Sequence, residues 1–242
     1  MTSIRGGAGK SSLAALIART VQQHRDDRVL AIDADPGLGS LPLRLGVTPT
    51  RSVHDVVAAR PRTWEDAAEH LAAAEAGVWV LAGTTDAAIG LDLDHTTLRA
   101  GAGILGRYFA VSVIDCGAGI GSPIHRGVLD SAHAQIFAVP GTGDGAVSAH
   151  SALEWLRTNG YSDLLTRTVV ALVAHTPSPD TDLEGARDLL GAGGLPVTIV
   201  PFDRHLAAGT AIHPDHLAET THTAITTIAL ESFTRAQSGG AP

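Results

Sequence analysis

Six short apolar runs punctuate the chain, and each is continuous rather than alternating: "RVLAIDADP", "GVWVLAG", "FAVSVIDCG", "AQIFAVPG", "TVVALVAHT" and "PVTIVPFD". A strand that is apolar on both faces needs cover on both faces, which a sheet with one wet side cannot give it. The stretches between the runs carry helical periodicity. Residues 11–24 place Leu13, Leu16, Ile17 and Val21 on one face. Further helices are expected over 52–75 with a break at Pro61, over 96–108, just before residue 134, and over 146–159, 183–190 and 214–235. Strand and helix in strict alternation imply right-handed crossovers, and therefore an α/β fold with a mostly parallel twisted sheet and helices on both faces. The 242 residues are 44% apolar but only 4% aromatic, so the core is built from Ala, Val, Leu and Ile. No internal repeat or linker divides the chain. One domain is expected over residues 1–236, with 237–242 as a flexible tail.

The segment "SIRGGAGKSS" (3–12) opens the first helix. Gly6, Gly7 and Gly9 allow the backbone, including Ala8, to wrap tightly and turn its N–H groups toward phosphate oxygens at a helix N-terminus. Lys10 is the only lysine in the chain. Its compact ammonium fits between phosphate oxygens where a planar guanidinium does not. In such a loop Lys10 neutralises the β- and γ-phosphates, Ser11 offers a hydroxyl to Mg²⁺, and Ser12 bonds the α-phosphate. Ile4 stands where the strict phosphate-loop pattern has its first glycine, and Arg5 follows it. A loop of this kind normally follows a strand of five or six residues, yet only "MTSI" precedes it. The first strand is therefore expected to be ragged, and the chain to be a segment of a longer protein or one with a clipped start.

Two more stretches complete the pattern. Asp33 and Asp35 end the first apolar run, at the carboxyl end of a parallel strand where ligands bind, although a solvated turn explains them equally well alone. Asp115 ends the third apolar run, in the form of an acid that holds Mg²⁺ through water, with Gly117 and Gly119 behind it to bring an amide to a γ-phosphate.

Seventeen basic against 25 acidic side chains give a net charge of −8, which disfavours nonspecific binding to DNA or anionic lipid. Cys116 is the single cysteine, so no internal disulfide forms, which fits a reducing cytoplasm. No signal peptide, membrane span or basic amphipathic tail is evident, so stable membrane insertion is not expected. The histidines match no zinc spacing, and His213 and His216 read as surface or capping residues. Cys116 reads as a small buried side chain, and Asp144 with His150 lacks a nucleophile elbow.

Taken together, "RGGAGKSS", "DADPGLGS" and "DCGAGIG" resemble the deviant phosphate loop, switch I and switch II of the ParA/MinD superfamily, and "VPFDRHLAAG" resembles its adenine-side loop. The resemblance covers nearly the whole chain. It implies an ATP-binding, Mg²⁺-dependent, slow ATPase, stimulated by a protein partner and acting as an ATP-dependent homodimerisation switch. Family loops often lack the first glycine. Their first basic residue, here Arg5, reaches the partner's nucleotide in trans, so Arg5 is assigned with Lys10 and Asp35 to catalysis. Asp35 positions or activates the attacking water. Ser11, Asp33 and Asp115 form the magnesium shell, and Gly117 approaches the γ-phosphate. The family's base-reading asparagine is replaced by Ala174, which leaves adenine to His175, or to backbone groups near Pro201 and Phe202.

Within the superfamily the closest resemblance is to type VII secretion-associated members of actinobacteria. A cell-division type is disfavoured by the poorly basic C-terminal stretch, and a DNA-partition type by the isolation of Arg204 and Arg235. The competing reading is a nucleotide-sensing adaptor with negligible hydrolysis, to which the change at Arg5 and the missing asparagine both point.

Overall fold

The computed structural model describes residues 1–37, 39–85, 93–178 and 181–238. Each of the six apolar runs contains a strand: β1 Val29–Ala34, β3 Trp79–Leu81, β4 Val111–Cys116, β5 Gln135–Pro140, β6 Thr168–Val173 and β7 Val197–Val200. A two-residue strand, β2 Ala72–Ala73, pairs antiparallel with β3, and every other strand pairing among the described residues is parallel. Two sheets result, in the orders β2-β3-β1-β4 and β5-β6-β7.

Residues 1–3 bridge them. The Met1 ammonium donates to Ile114 O (2.7 Å) and Met1 O accepts from Cys116 N–H (3.1 Å). On the other side Thr2 N–H donates to Ile136 O (3.0 Å), and Ala138 N–H donates to Thr2 O (2.8 Å). The short run before the glycine loop is thus a buried rung in the centre of the sheet, paired on both edges. Gln135 Nε2 donates to the Thr2 hydroxyl (2.7 Å), and Thr168 donates to Gln135 Oε1 (3.0 Å), so the polar groups beneath the rung are satisfied.

β1 and β6 are buried at every position, as strands covered on both faces must be. One face carries α1 Lys10–Gln23, α2 Leu41–Leu45 and α11 Glu219–Ser238. The other carries α3 Val53–Ala59, α5 His95–Leu105 and α6 Pro123–Ser131, then α7 Gly143–Thr158 and α9 Leu183–Gly191. Among the described residues no helix is long and apolar enough to cross a membrane.

Several boundaries differ from the sequence expectation. The helix expected over 52–75 is only α3 and α4 Trp64–Ala68, followed by β2 and a 3₁₀ turn, Glu75–Gly77. Alanine suits a helix on propensity alone, but here the chain reverses at Ala76 (φ 65°) to pair β2 with β3, so tertiary pairing overrides propensity. The short helices α2, α8 Ser162–Thr166 and α10 Arg204–Ala207 were not expected. α7 starts at Gly143, because Thr142 caps it. The final helix starts after a separate 3₁₀ turn, Pro214–His216, and continues to Ser238. Of the expected tail, 239–242 lie outside the described residues.

Candidate functional site

The glycine loop runs from the central rung to the N-terminus of α1. Gly7 (φ 77°) and Gly9 (φ 78°) both adopt the left-handed conformation that glycine reaches without a Cβ penalty. Gly9 is the residue before the helix and no side chain caps it, so the first-turn N–H groups of α1 face the loop. A Cβ at Gly6 or Gly7 would meet nothing within 4 Å, so the inside of the loop is open, as a phosphate cradle requires.

Register brings the acidic residues together. Asp33 on β1 and Asp115 on β4 are direct parallel partners, 3% and 1% exposed. Burial pushes the Asp33 carboxyl up to about 7, and the neighbouring Asp115 charge adds to this, while the N–H groups of Asp35 and Leu41 pull against it. Those amides donate to Asp33 Oδ1 (3.1 Å) and Oδ2 (3.2 Å). Burial raises Asp115 as well, opposed by the Lys10 ammonium and the Ser11 hydroxyl. Lys10 Nζ stands 3.6 Å from Asp115 Oδ1, a buried oxygen with no hydrogen-bond donor. Two buried carboxylates side by side, one with an orphaned oxygen, are a site short of positive charge. Among the described residues no three His, Cys, Asp or Glu side chains are arranged to hold a metal ion by themselves. A cation here would draw its other ligands from Ser11 and from phosphate or water oxygens, which suits Mg²⁺.

Asp35 is half-buried, and its Oδ1 accepts Gly37 N–H (3.0 Å). Gly117 packs against it: a Cβ there would lie 3.3 Å from Pro36 and 3.4 Å from the Asp35 carboxylate. The two switch-like loops are therefore in contact. Gly117 O accepts from His125 Nε2 (2.9 Å), and the Ser122 hydroxyl donates to His125 Nδ1 (2.8 Å). This network assigns His125, 2% exposed, the neutral Nε2–H tautomer, and burial lowers its pKa.

Beside the loop lies a cavity of about 370 Å³. The 7–12 segment lines it together with His175, Pro201 and Phe202, so all the residues expected to hold a nucleotide's phosphates and base share one wall system, apart from Gly6 and Gly117. Asp33, Asp35, Asp115 and Gly117 are not part of the cavity lining; Asp115 faces the lining residue Lys10, Asp33 is its strand partner, and Gly117 packs against Asp35. Ala174 lines the cavity and offers no polar side-chain atom.

Arg5 lies elsewhere. Its guanidinium is half-exposed and turned to α7, paired with Asp144 Oδ2 (2.8 Å) and donating to Ser148 Oγ (3.2 Å). Three further residues of this region are not among the sequence candidates: His125, Asp203 and the cavity-lining Arg44. Only Asp203, placed before a short helix, carried a local capping signal. Cys116 is fully buried, with its thiol pushed up to about 11 by burial, so it is no nucleophile. His213 and His216 are exposed, with ring centroids 5.6 Å apart, and neither caps by its side chain.

A glycine loop at a helix N-terminus, a lysine paired to a strand-end aspartate, and a central parallel sheet define a P-loop nucleotide-binding α/β protein. Residues 1–207 match the model of the CobQ/CobB/MinD/ParA nucleotide binding domain, and the chain belongs to that family. It is 34% identical over 221 residues to the ESX-1 secretion-associated protein EspI of Mycobacterium tuberculosis, an alignment covering 90% of this chain and 33% of EspI. The chain thus spans about a third of that relative's length. Its fold is similar to a ParA family ATPase from Chlorobium tepidum (TM-score 0.76, 19% identity, 95% of each chain covered). It is also similar to the septum site-determining protein MinD complexed with Mg-ADP from Pyrococcus horikoshii (TM-score 0.72, 22% identity, 95% of this chain and 93% of that one).

Proposed function

We propose that this domain binds ATP with Mg²⁺, hydrolyses it slowly, and uses the bound nucleotide to dimerise. The carrying observation is the pairing of Asp115 with Lys10, which lines a cavity walled by the glycine loop and the Pro201–Phe202 segment. The N–H groups from Gly6 to Lys10 and the Lys10 ammonium take the phosphate charge, while Ser12 bonds the α-phosphate. Ser11, Asp33 and Asp115 hold Mg²⁺, which when bound spreads the negative charge of the phosphate oxygens. Asp35 keeps one oxygen on Gly37 N–H, leaving the other to orient a water and take its proton. Gly117, tied down by His125, presents its amide to the terminal phosphate. His175, Pro201 and Phe202 enclose the base.

Arg5 acts in trans. Its guanidinium reaches the nucleotide of a second copy and stabilises charge developing in the transition state. The likeness to EspI supports a biological role as a nucleotide switch of a secretion apparatus, driven on the cytoplasmic side by a protein partner that stimulates turnover.

Solution mass by light scattering tests this reading, without nucleotide, with ADP·Mg²⁺ and with ATP·Mg²⁺, for wild type and Asp35→Ala. ATP alone should shift wild type from monomer to dimer, and Asp35→Ala should lock the dimer. A mass unchanged by ATP that is shown to be bound sinks the switch. One observation favours the adaptor reading: Arg5 already has partners on its own chain, Asp144 and Ser148. Phosphate release indistinguishable from buffer, with tight ATP binding, would decide for the adaptor.

A further inference from the structure

Arg44 on α2 projects its guanidinium to the cavity wall formed by the segment after β7. Its NH1 donates to Thr210 O (3.2 Å), and a Cβ on Gly209 would lie 3.5 Å from NH1 and 3.7 Å from NH2. Its Nε–H is buried and has no acceptor. A guanidinium carries five N–H donors in a rigid plane. Here one is used and another is sequestered without a partner, next to a cavity large enough for a ligand.

The remaining polar side chains around that wall are few. Asp203 is saturated: Oδ1 accepts from His205 and Leu206 N–H, and Oδ2 accepts from Ala218 N–H and the Thr221 hydroxyl. Val173, Ala174, Leu206 and Ala207 are apolar. His175 and Arg44 are left as the ionisable side chains of this wall with capacity to spare, and only Arg44 offers a planar cation.

Given the nucleotide reading above, on which this inference rests, we infer that Arg44 is a ligand-contacting residue that holds the purine base. The guanidinium plane lies against the ring, or donates to its acceptor nitrogens, both of which an arginine does and a lysine does poorly. The contact also links occupancy to the backbone. Ile212 N–H donates to Arg44 O (3.0 Å), and the buried Arg19 donates to Ile212 O (2.6 Å) and Leu45 O (3.4 Å). The first residue of α2, Leu41, donates its N–H to Asp33 Oδ2 (3.2 Å), so a base seated on Arg44 braces the helix tied to this carboxylate.

The test compares ATP·Mg²⁺ with inorganic tripolyphosphate·Mg²⁺, which has phosphates and no base, by calorimetry on wild type, Arg44→Ala and Arg44→Lys. Arg44→Ala should weaken ATP about tenfold, a loss typical of one charge-assisted contact, and leave tripolyphosphate unchanged. Arg44→Lys should recover less than half of that loss, since its charge returns without the plane. Thermal melting without ligand confirms that both variants fold. Unchanged ATP affinity in Arg44→Ala, or equal weakening of both ligands, overturns the base assignment while leaving the nucleotide reading intact. Wild type that binds neither ligand overturns both.

Discussion

The imidazole of His125 donates to the carbonyl of Gly117 across 2.9 Å, joining the loop after β4 to the first turn of α6. The bond is buried and its partner ring nitrogen is also satisfied, so its removal leaves Gly117 O without a donor. His125→Phe keeps a ring of similar size and should cost about 1–3 kcal/mol at about pH 8. Burial holds the folded pKa of His125 below its ordinary 6.5, so the unfolded chain binds the proton more tightly. The stabilisation by neutral His125 is therefore complete above about pH 6.5 and declines as the pH falls below it. Urea unfolding of both proteins at about pH 8 and about pH 5.5 should show the wild-type advantage shrinking in acid. An equal gap at both values would refute the assignment.

Asp33 leaves no room for a side chain at Gly39: a Cβ built there overlaps both carboxylate oxygens. The same oxygens accept the N–H groups of Asp35 and Leu41, so they cannot swing away without orphaning two amides. Gly39→Ala should destabilise the domain by about 1–3 kcal/mol and weaken ATP binding through the disturbed turn. Gly37→Ala is the matched control, since its Cβ would meet Asp35 Oδ1 at an ordinary 3.5 Å. Equal denaturation midpoints for the two variants would count against the constraint.

What could be read from the residues, and what could not, follows from the range of each interaction. The apolar runs announce a doubly covered parallel sheet, because continuous burial leaves its mark within a few residues. The 7–12 loop is marked in the sequence by its glycines and lone lysine, whereas His175, Pro201 and Phe202 stand out only through the resemblance to the family's adenine-side segments. That they line one cavity with the loop fits a parallel topology, which gathers groups just beyond the carboxyl ends of strands. Arg44 was not legible, because its site role depends on meeting Thr210, 166 residues away. Helices of four or five residues such as α2 and α10 are also invisible, since one turn carries too little periodicity to stand out. The turn at Ala76 shows the same limit, as an alanine stretch gives no warning that a strand edge will claim it.

Arg5 and Asp144 form an exposed ion pair, with side chains 50% and 62% accessible. Water screens such pairs, so the contact contributes little to folding and does not hold Arg5 firmly. Asp144→Ala should leave the thermal midpoint and ATP affinity within error of wild type. Arg5→Ala should also keep ATP affinity, but turnover should fall toward background, by a factor on the order of 10³ if Arg5 acts as an arginine finger. A mixing experiment separates cis from trans action. Arg5→Ala supplies an intact Asp35 and Asp35→Ala supplies an intact Arg5, so combining the two inactive proteins should restore phosphate release. Failure to restore it in mixtures proven to dimerise would place Arg5 in cis.

Asp203 joins the cavity to α11. Its carboxylate takes the first amides of α10 on Oδ1, and Ala218 N–H (3.0 Å) with the Thr221 hydroxyl (2.9 Å) on Oδ2. Burial opposes its charge, but these four donors outweigh burial and hold its pKa below the ordinary 3.8. A depressed carboxyl stabilises the fold above its unfolded pKa and loses that contribution as the pH falls through the folded value. Asp203→Asn replaces one accepting oxygen by a donor, so two of the four donors face an amide group they cannot bond. The variant should be less stable by about 2–3 kcal/mol at neutral pH. The gap to wild type should be constant above the ordinary 3.8 and narrow as the pH falls below it toward the depressed folded value, because protonated Asp203 is no better an acceptor than the amide. Since Leu206 and Ala207 of α10 line the cavity, ATP affinity at neutral pH should weaken along with stability. A variant as stable as wild type, or a gap independent of pH, would show that α10 and α11 are held by packing alone.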